Sequence, residues 1–372
     1  MDKGKKETGE KKLSVIIAGG GTGGHLFPGI AVGNEFKDRY PDADILFVTA
    51  GRELESQILS RAGFRQESLS IEGIKGKGII RSLISLFKLP GSLFQSMVII
   101  KRTSPDIILG VGGYSSGPLC LSGKLMRIPV AVHEQNSYPG LTNRLLSRVV
   151  DMIFISFEES RGYFPAGTFC LTGNPIRNVF TEAVEDLPER KDVFTIFVTG
   201  GSQGAVAVNS VFIEALSVMN KKGFNPEVIH HTGQLDYERV TEEYTKRGLK
   251  GEISPFIEDM AGAYKRSDIF IGRAGAGTIF ELAAMGRPSI LIPLPGSANN
   301  HQESNAMALV RLGGALMILQ HELNGEKLAD RLIEFLNKAD LLVEMGENSR
   351  KAARPDATRV IVDQMLKLIG KN

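Results

Sequence analysis

The stretch Ala18-Gly19-Gly20-Gly21-Thr22-Gly23-Gly24-His25 decides the fold of this chain. It follows the apolar run Leu13–Ile17, which predicts a short buried strand, and it precedes Leu26–Val32, where we expect a helix with Pro28 in its first turn. A strand, a glycine loop and a helix together aim backbone N–H groups and the helix dipole at an anion. The loop therefore predicts a phosphate or diphosphate site, against the alternative of a tight turn that binds nothing.

The composition is that of an ordinary globular protein large enough for two domains. Of the 372 residues, 42% are hydrophobic and 23% are charged, and the net charge is +2. That charge balance, without a basic stripe carrying interleaved aromatic residues, argues against a nucleic-acid-binding protein. Cys120 and Cys170 lie far apart in apolar surroundings and lack metal-ligand spacing, so we expect two core residues in a reducing compartment.

Neither a signal peptide nor a membrane span is expected. Residues Met1 to Lys12 are rich in Lys, Glu and Gly and predict a disordered tail, because they lack the apolar centre of a signal peptide. No uninterrupted apolar segment reaches about 18 residues, the length that a transmembrane helix needs. These features predict a cytoplasmic protein.

Apolar and amphipathic segments alternate from Leu13 to about Leu171, which is typical of a parallel sheet covered by helices on both faces. A second alternating series begins at Val193 and again opens with a strand and a glycine loop, Gly200–Ala205. Two such loops at equivalent positions predict an α/β fold of two doubly wound domains facing each other. The predicted strands are Val15–Ala18, Asp44–Thr49, Asp106–Val111, Val130–His133, Met152–Phe157, Phe194–Val198, Glu227–His231, Ile269–Ile271 and Ser289–Ile292.

The domain boundaries follow from these two series. We expect a tail at 1–12, an N-terminal domain at 13–176, a linker at 177–192 and a C-terminal domain at 193–355. The linker is charged, contains a proline and lacks a clear period. The last predicted helix, within 356–372, has no strand after it, and it could cap the second domain or return to the first.

One segment interrupts the alternation with an amphipathic helix that has basic flanks. Its apolar face carries Ile80, Leu83, Ile84 and Phe87, with Lys77, Arg81 and Lys88 close by, and a second apolar helix with Phe94 and Val98 is expected after it. Apolar area combined with cations suits the surface of an anionic membrane. An ordinary core-packing helix explains the same pattern equally well.

Further polar motifs follow predicted strands of the first domain. Gly110–Pro118 is a second glycine loop, and since ligands of open parallel sheets bind beyond the carboxyl ends of the strands, it should share a cleft with the first loop. His133-Glu134-Gln135-Asn136 could hold sugar hydroxyls, relay a proton or form a hydrogen-bonded cluster without a ligand. Arg177 could bind a phosphate with its guanidinium group.

The second domain repeats the same chemistry. Ser202 and the amides of Gly200–Ala205 predict another anion site, and Phe256–Met260 offers a main-chain edge that could read a base. In Arg273–Glu281, glycines before a helix again suit phosphate, and Glu281 could accept both hydroxyls of a ribose. The spacing of Thr278 and Glu281 is equally that of a capping box. Gln302 could bind sugar hydroxyls.

In this order the motifs GGGTGGH, GGYSSGP, HEQN, GNPIR, GGSQGA, HHTG, RAGAGT and HQ-x-x-NA resemble the MurG family of glycosyltransferases. The resemblance covers nearly the whole chain from Leu13. It implies a GT-B fold, with two Rossmann-like domains and an interdomain cleft. It also implies inverting transfer of N-acetylglucosamine from UDP-N-acetylglucosamine to the 4-hydroxyl of the muramoyl sugar of undecaprenyl-diphospho-N-acetylmuramoyl-pentapeptide (lipid I), giving lipid II and UDP, without a required metal or other cofactor.

The resemblance also implies which residues bind each substrate. Those expected at the donor are Thr22, Gly23, Gly24, Asn136, Arg177, Ser202, Ile257 at the uracil, Ala276, Gly277, Thr278, Glu281 at the ribose and Gln302 at the sugar. Those expected at the acceptor diphosphate are Gly20, Gly21, Gly112, Gly113, Tyr114 and Ser115.

The base that accepts the proton of the attacking hydroxyl is expected to be His25, with Glu134 as the alternative. An imidazole ordinarily titrates near neutral pH, which suits a general base.

A lipid-anchored acceptor favours membrane docking by the amphipathic segment, on the cytoplasmic face of the inner membrane. The partners expected from the resemblance are the two substrates, an anionic membrane surface and other cell-wall synthesis and division proteins. Two other functions fit parts of the pattern. A UDP-N-acetylglucosamine 2-epimerase shares the architecture and donor but needs no acceptor site. A membrane-docked sensor of UDP-sugars would bind without catalysis.

Overall fold

A computed structural model describes residues 12–21, 23–71, 79–165, 167, 169–182, 193–201 and 204–371, with the backbone alone at 79–88, 182 and 298. The predicted N-terminal tail therefore lies almost wholly outside the described residues, as do Thr22, Lys77, Ser202 and most of the predicted linker.

The first domain is a parallel seven-stranded sheet in the order β3-β2-β1-β4-β5-β6-β7. Its strands are β1 (Ser14–Ala18), β2 (Asp44–Thr49), β3 (Arg65–Ser68), β4 (Ile107–Gly110), β5 (Val130–Glu134), β6 (Met152–Ile155) and β7 (Phe169–Leu171). Its helices are α1 (Gly23–Arg39), α2 (Glu53–Arg61), α3 (Ile79–Thr103), α4 (Ser116–Leu125) and α5 (Leu141–Leu146), with a 3-10 turn at Glu158–Tyr163.

The second domain is a parallel six-stranded sheet in the order β10-β9-β8-β11-β12-β13. Its strands are β8 (Thr195–Thr199), β9 (Glu227–His231), β10 (Glu252–Ser254), β11 (Ile269–Gly272), β12 (Ser289–Leu291) and β13 (Ala315–Met317). Its helices are α6 (Asn178–Glu182), α7 (Val206–Lys221), α8 (Tyr237–Arg247), α9 (Met260–Arg266), α10 (Ala276–Met285), α11 (His301–Val310), α12 (Gly325–Asn337) and α13 (Ala339–Arg350), with 3-10 turns at Ala298–Asn300 and Gln320–Glu322.

Each sheet reverses its strand order once, between β1 and β4 in the first domain and between β8 and β11 in the second. The carboxyl ends of strands that flank such a reversal leave a crevice between the following loops, where ligands of this architecture bind. The glycine loops predicted from the sequence follow these strands. The two sheets therefore confirm the predicted α/β class and place the candidate loops at both crevices.

The last helix, α14 (Ala357–Leu368), crosses from the second domain back to the first. It packs along α1 and buries Ile361, Val362 and Met365 completely in the core beneath β1 and β4. Burying each of these side chains contributes roughly 1.5–3 kcal/mol. The C-terminal segment is thus part of the N-terminal domain's core.

Two features differ from the sequence prediction. The two helices expected around the amphipathic segment form one helix, α3, which continues through Pro90. Part of the predicted linker forms helix α6, which packs on the second domain, where Phe180 is fully buried against α10.

Candidate functional site

The two glycine loops of the first domain touch backbone to backbone. A Cβ atom on Gly113 would lie 2.4 Å from the carbonyl oxygen of Gly20, and one on Gly112 would lie 2.9 Å from the ring of His25. Gly112 and Gly113 also have φ values of +89° and +84°, which side-chain-bearing residues rarely adopt. The predicted acceptor residues of both loops therefore lie together at the carboxyl end of β1 and β4.

His25 lies in the first turn of α1, where a chain of hydrogen bonds reaches it from β5. Its Nδ1 is 3.1 Å from Oε1 of Gln135, a buried side chain whose Nε2 donates to the carbonyl oxygen of Val111 (2.8 Å). The same Nε2 lies 3.1 Å from Nδ1 of His133. Burial lowers the pKa of His133 to about 4. Gln135 had no separate role in the sequence prediction, because only the fold brings it to His25.

Glu134 takes no part in this series of hydrogen bonds and instead binds the loop that follows β5. Its Oε1 accepts hydrogen bonds from N and Nδ2 of Asn136 at 2.9 and 3.3 Å, and its Oε2 accepts from N of Gly140 and Nδ2 of Asn143 at 3.0 and 2.9 Å. The carboxylate is buried and receives four donors. These bonds occupy the lone pairs that a general base would use.

Glu55 holds the first glycine loop and was not anticipated. Its buried carboxylate accepts hydrogen bonds from the amides of Gly21 and Arg52, while the guanidinium of Arg52 donates to the carbonyl oxygen of Gly21 at 3.0 Å. Its place at the third residue of α2, after Arg52, is the only sequence signal that could have indicated it.

The N-terminus of α10 is open, in the sense that no side chain caps it. The helix is preceded by Gly275, which offers no side-chain cap, and no acidic residue lies in its first turn. Thr278 is therefore inside the helix, so the capping box with Glu281 considered as an alternative does not form. The amides of Ala276, Gly277 and Thr278 remain for an anion, as predicted for a diphosphate.

Glu281 and Arg177 lie near each other where α1 meets α10. Oε2 of Glu281 accepts a hydrogen bond from the hydroxyl of Tyr264 at 3.2 Å. Burial raises the pKa of the Glu281 carboxyl, against the opposing effects of the Arg177 charge and the Tyr264 hydroxyl. The guanidinium of Arg177 also lies over the ring of Phe27, 5.6 Å from its centroid, in the first turns of α1. Arg177 thus lies between α1 of the first domain and α10 of the second domain.

The loop after β8 packs against the end of β9. The hydroxyl of Thr199 accepts a hydrogen bond from the amide of Gly201 (3.0 Å) and lies 2.8 Å from Nδ1 of His231. His230 is fully buried and contacts Asn209 and the hydroxyl of Tyr244, and burial lowers its pKa to about 3. His231 therefore supports the loop after β8 through Thr199, whereas His230 is bonded to residues of α7 and α8.

Gln302 and Asn305 of α11 tie the second domain's loops together and reach the first domain. Oε1 of Gln302 accepts hydrogen bonds from the amides of Ala274 (3.3 Å) and Leu294 (3.0 Å). Buried Asn305 accepts from both N and Oγ of Ser137, at 2.9 and 3.0 Å, and donates to Oδ1 of Asn136 at 3.2 Å. Asn136, expected at the donor, is therefore engaged in this interdomain contact.

The remaining residues that were predicted to bind the donor or the acceptor lie on both domains. Gly23 and Gly24 begin α1, Tyr114 is half-buried, and Ser115 is fully buried with no hydrogen bond to its hydroxyl. Ile257 is half-buried beside the second domain's core, close to α9.

Helices α3, α4 and α5 of the first domain expose large apolar side chains. The predicted residues Ile80, Leu83, Ile84, Phe87, Arg81 and Lys88 lie on α3, but only their backbone is described. Farther along α3, on α4 that packs against it and on α5 that packs against α4, apolar side chains are 60% exposed or more at Phe94, Leu125, Leu141 and Leu145. Arg144 and Arg148 lie beside the last two in sequence.

Two kinds of feature are absent from the described part of the chain. No group of three or more His, Cys, Asp or Glu side chains is placed to hold a metal ion. No described helix is long and apolar enough to cross a membrane.

The chain matches two family models that together span most of its length. The glycosyltransferase family 28 N-terminal domain matches residues 15–155, and the family 28 C-terminal domain matches residues 195–361.

Curated relatives are similar over nearly the whole chain. A protein of Syntrophus aciditrophicus is 44% identical over 357 residues, covering 96% of this chain and 99% of that protein. A protein of Myxococcus xanthus is 41% identical over 364 residues, covering 97% and 95%. Both are named UDP-N-acetylglucosamine–N-acetylmuramyl-(pentapeptide) pyrophosphoryl-undecaprenol N-acetylglucosamine transferase.

Solved structures share the architecture. The crystal structure of Acinetobacter baumannii MurG is 32% identical, covers 95% of this chain and 99% of its own, and superposes with a TM-score of 0.78. A UDP-N-acetylglucosamine 2-epimerase from Neisseria meningitidis covers 96% and 100% with a TM-score of 0.65, but at 15% identity it shows a common fold alone.

Proposed function

We infer what this chain does from the family to which it belongs, the MurG family within glycosyltransferase family 28. The chain transfers N-acetylglucosamine from UDP-N-acetylglucosamine to lipid I in peptidoglycan synthesis. One observation of the structure carries the mechanism proposed below: α10 of the second domain, whose N-terminus has no side-chain cap, contacts α1, the helix of the first domain that carries His25. The cleft thus offers an anion site opposite a group able to accept a proton.

We propose that the donor occupies the second domain's side of this cleft. The amides at the start of α10 and Arg177 take the diphosphate, Glu281 takes the ribose hydroxyls, and the main chain at Ile257 takes the uracil. Gln302 suits the sugar, because its carbonyl oxygen is already used and its amide group remains as the donor. Thr22, Gly23, Gly24, Asn136 and Ser202 complete the proposed donor residues.

The acceptor's diphosphate is proposed to lie on the paired glycine loops of the first domain, at Gly20, Gly21 and Gly112–Ser115. The muramoyl 4-hydroxyl then attacks the anomeric carbon with inversion, its proton passes to Nε2 of His25, and UDP leaves toward α10. Backbone amides and Arg177 stabilise the negative charge that develops on the leaving diphosphate, which is the role that a metal fulfils in other transferases. We therefore propose that no cofactor is required.

We propose that the enzyme works as a peripheral protein on the cytoplasmic face of the inner membrane. The acceptor carries a lipid, and α3, α4 and α5 expose apolar side chains on the first domain next to cations. Such a surface combines apolar burial with attraction to anionic headgroups. Other cell-wall synthesis and division proteins are proposed as further partners.

The function is tested by incubating the protein with radiolabelled UDP-N-acetylglucosamine, with and without lipid I. We expect label in the lipid fraction only when lipid I is present. Release of an epimerised nucleotide sugar would indicate a 2-epimerase instead. Stoichiometric binding without turnover would indicate a sensor, and either result would contradict transfer.

Membrane docking is tested by flotation with vesicles containing anionic lipid. Replacing Ile80, Leu83 and Phe87 together by Ser should move the protein out of the lipid fraction, as should the pair Leu141→Ser and Leu145→Ser. The matched control replaces Leu235 and Leu312, exposed leucines of the second domain, by Ser. Unchanged flotation of both first-domain variants would rule out the proposed surface.

A further inference from the structure

We propose that Gln135 is a positioning residue that holds His25 in the neutral tautomer with the proton on Nδ1, leaving Nε2 to accept the substrate's proton. This role rests on the proposed function, in which His25 is the general base. An imidazole can act in this way only if the nitrogen facing the substrate carries a lone pair.

The orientation of the Gln135 amide is set by groups that cannot exchange roles. Its Nε2 lies 2.8 Å from the carbonyl oxygen of Val111, which can only accept a hydrogen bond. The reversed amide would place two carbonyl oxygens against each other at that distance. Oε1 is therefore the atom that faces His25.

This orientation decides where the proton of His25 resides. Oε1 of Gln135 lies 3.1 Å from Nδ1 of His25 and has no hydrogen to donate. The contact is a hydrogen bond only when Nδ1 carries the proton. In the neutral ring the lone pair then lies on Nε2.

The hydrogen bonds of His133, at the other end of this series, are consistent only with the same arrangement. The second hydrogen of the Gln135 amide points to Nδ1 of His133, whose Nε2 lies 3.3 Å from the carbonyl oxygen of Gly173 and 3.2 Å from Oγ of Ser156. Burial lowers the pKa of His133 to about 4, so the ring is neutral at physiological pH. Because the carbonyl oxygen of Gly173 can only accept a hydrogen bond, Nε2 of His133 carries the proton and Nδ1 is the acceptor. In this series of hydrogen bonds, His25 therefore donates to Gln135, Gln135 donates to His133, and His133 donates to Gly173.

The ring of His25 is also held in place by packing. A Cβ atom at position 112 would lie 2.9 Å from both Cε1 and Nδ1 of the ring, so the imidazole lies flush against the backbone of Gly112. The ring nitrogen next to this backbone is the one bonded to Gln135. The half-exposed side chain of His25 is thereby held in one orientation by Gly112 and Gln135.

The tautomer is read directly from two-bond ¹H–¹⁵N spectra of protein labelled with ¹⁵N-histidine, with the His25 signals assigned by their loss in His25→Ala. We expect the Nδ1–H pattern in the unaltered protein. In Gln135→Met, which keeps the volume but removes the acceptor, that pattern should give way to Nε2–H or a mixture. An unchanged pattern in Gln135→Met would overturn the proposal.

Kinetics test whether the tautomer matters for transfer. Gln135→Met should lower kcat about 10- to 100-fold, with KM for UDP-N-acetylglucosamine within about twofold. In a His25→Ala background the same substitution should cost little more, because Gln135 acts through His25. An equal loss in both backgrounds would contradict the proposal.

Ser156→Ala is the matched control, since it removes a hydroxyl from the same buried chain but leaves the contact between Gln135 and His25. Its kcat should stay within about twofold of the unaltered protein. Failure of the proposed base is separately visible. If His25→Ala transfers sugar normally, the general-base role is wrong whatever the spectra show, whereas an inactive His25→Ala with an unchanged Gln135→Met spectrum rejects the positioning role alone.

Discussion

At the scale of single residues, hydrogen bonding distinguishes the two candidates for the general base, His25 and Glu134. His25 has one nitrogen bonded to Gln135, whereas the carboxylate of Glu134 receives four hydrogen bonds in a buried position. The geometry therefore favours His25, which the sequence also favoured. Glu134 instead shapes the loop that carries Asn136 and Ser137 to the second domain.

Replacing Glu134 by Gln should therefore act mainly on stability. The new NH2 group would face backbone amides at Asn136 or Gly140 that are themselves donors. We expect thermal unfolding at a lower temperature, corresponding to about 1–3 kcal/mol. The pH dependence of kcat should keep its shape, and loss of its acid limb would instead make Glu134 the base.

Buried histidines predict how stability depends on pH. The pKa of His133 is about 4 in the folded protein, below the ordinary value of 6.5, so the unfolded chain takes up the proton first as the pH falls. Stability is complete above pH 6.5 and is lost toward pH 4, by up to about 3 kcal/mol from this residue. His230 acts in the same direction.

Urea unfolding followed between pH 7 and 4 measures this effect. His133→Gln cannot titrate, so its stability should fall less over that interval than that of the unaltered protein. Parallel pH curves for the two proteins would show that His133 is not held neutral by folding.

The position of a single residue is predictable from the sequence where it depends on a local motif and not where it depends on distant contacts. The glycine loops and His25 follow from neighbours in sequence. Gln135 lies 110 residues from His25, and Asn305 lies 168 residues from Ser137, so their hydrogen bonds exist only in the folded chain. Glu55 gave a capping signal at most, without indicating that it would also hold Gly21.

At the scale of elements, the open N-terminus of α10 is the proposed diphosphate site. Gly275 precedes this helix with ordinary backbone angles, and a Cβ atom there would meet only the hydroxyl of Thr278, at 3.8 Å. Gly275→Asp should therefore fold, cap the helix and place a carboxylate where the donor's phosphate binds.

We expect Gly275→Asp to weaken UDP binding at least about tenfold in calorimetric titration, because a carboxylate competes for the same amides and repels the phosphate. Gly275→Asn is the control, with an equally good cap but no charge, and it should lose less affinity. Equal affinities for the unaltered protein and Gly275→Asp would exclude α10 as the diphosphate site.

Central elements were predicted better than edge elements. Strands β1, β2, β5 and β9 were placed within a residue or two because buried parallel strands read as apolar runs. The edge strands β3, β7, β10 and β13 were missed. Arg65–Ser68 and Glu252–Ser254, for example, are short, polar and partly exposed, and they pair on one side only.

At the scale of the whole molecule, Asn305 connects the two domains through buried hydrogen bonds to Ser137 and Asn136. Asn305→Ala leaves those groups unpaired, each at a cost of about 1–3 kcal/mol. We expect a wider distribution of interdomain distances, measured by energy transfer between a dye on each domain, together with a lower kcat/KM.

The comparison variant is Arg311→Ala, which removes an interdomain ion pair with Glu159. Both side chains are largely exposed, so the pair contributes no more than about 1 kcal/mol. Its distance distribution should match that of the unaltered protein. If Asn305→Ala behaves in the same way, the buried contact does not set the domain arrangement.

The return of α14 makes the first domain depend on the end of the chain. Ile361→Ala or Met365→Ala should destabilise it by about 2–5 kcal/mol, since each empties a fully buried position. Thermal unfolding followed by a probe in the first domain measures the loss, and exposed Arg359→Ala is the control. An unchanged transition in both buried variants would place α14 outside that domain's core.

We propose His25 as the base for sugar transfer, with its ring held by the backbone of Gly112 after β4 and by Gln135 after β5. Single-turnover transfer to lipid I by His25→Ala, with UDP-N-acetylglucosamine binding measured on the same preparation, tests it most directly. The transfer rate should fall about 10²–10⁴-fold while donor binding changes less than about twofold. Transfer at the unaltered rate by His25→Ala would exclude His25 as the base.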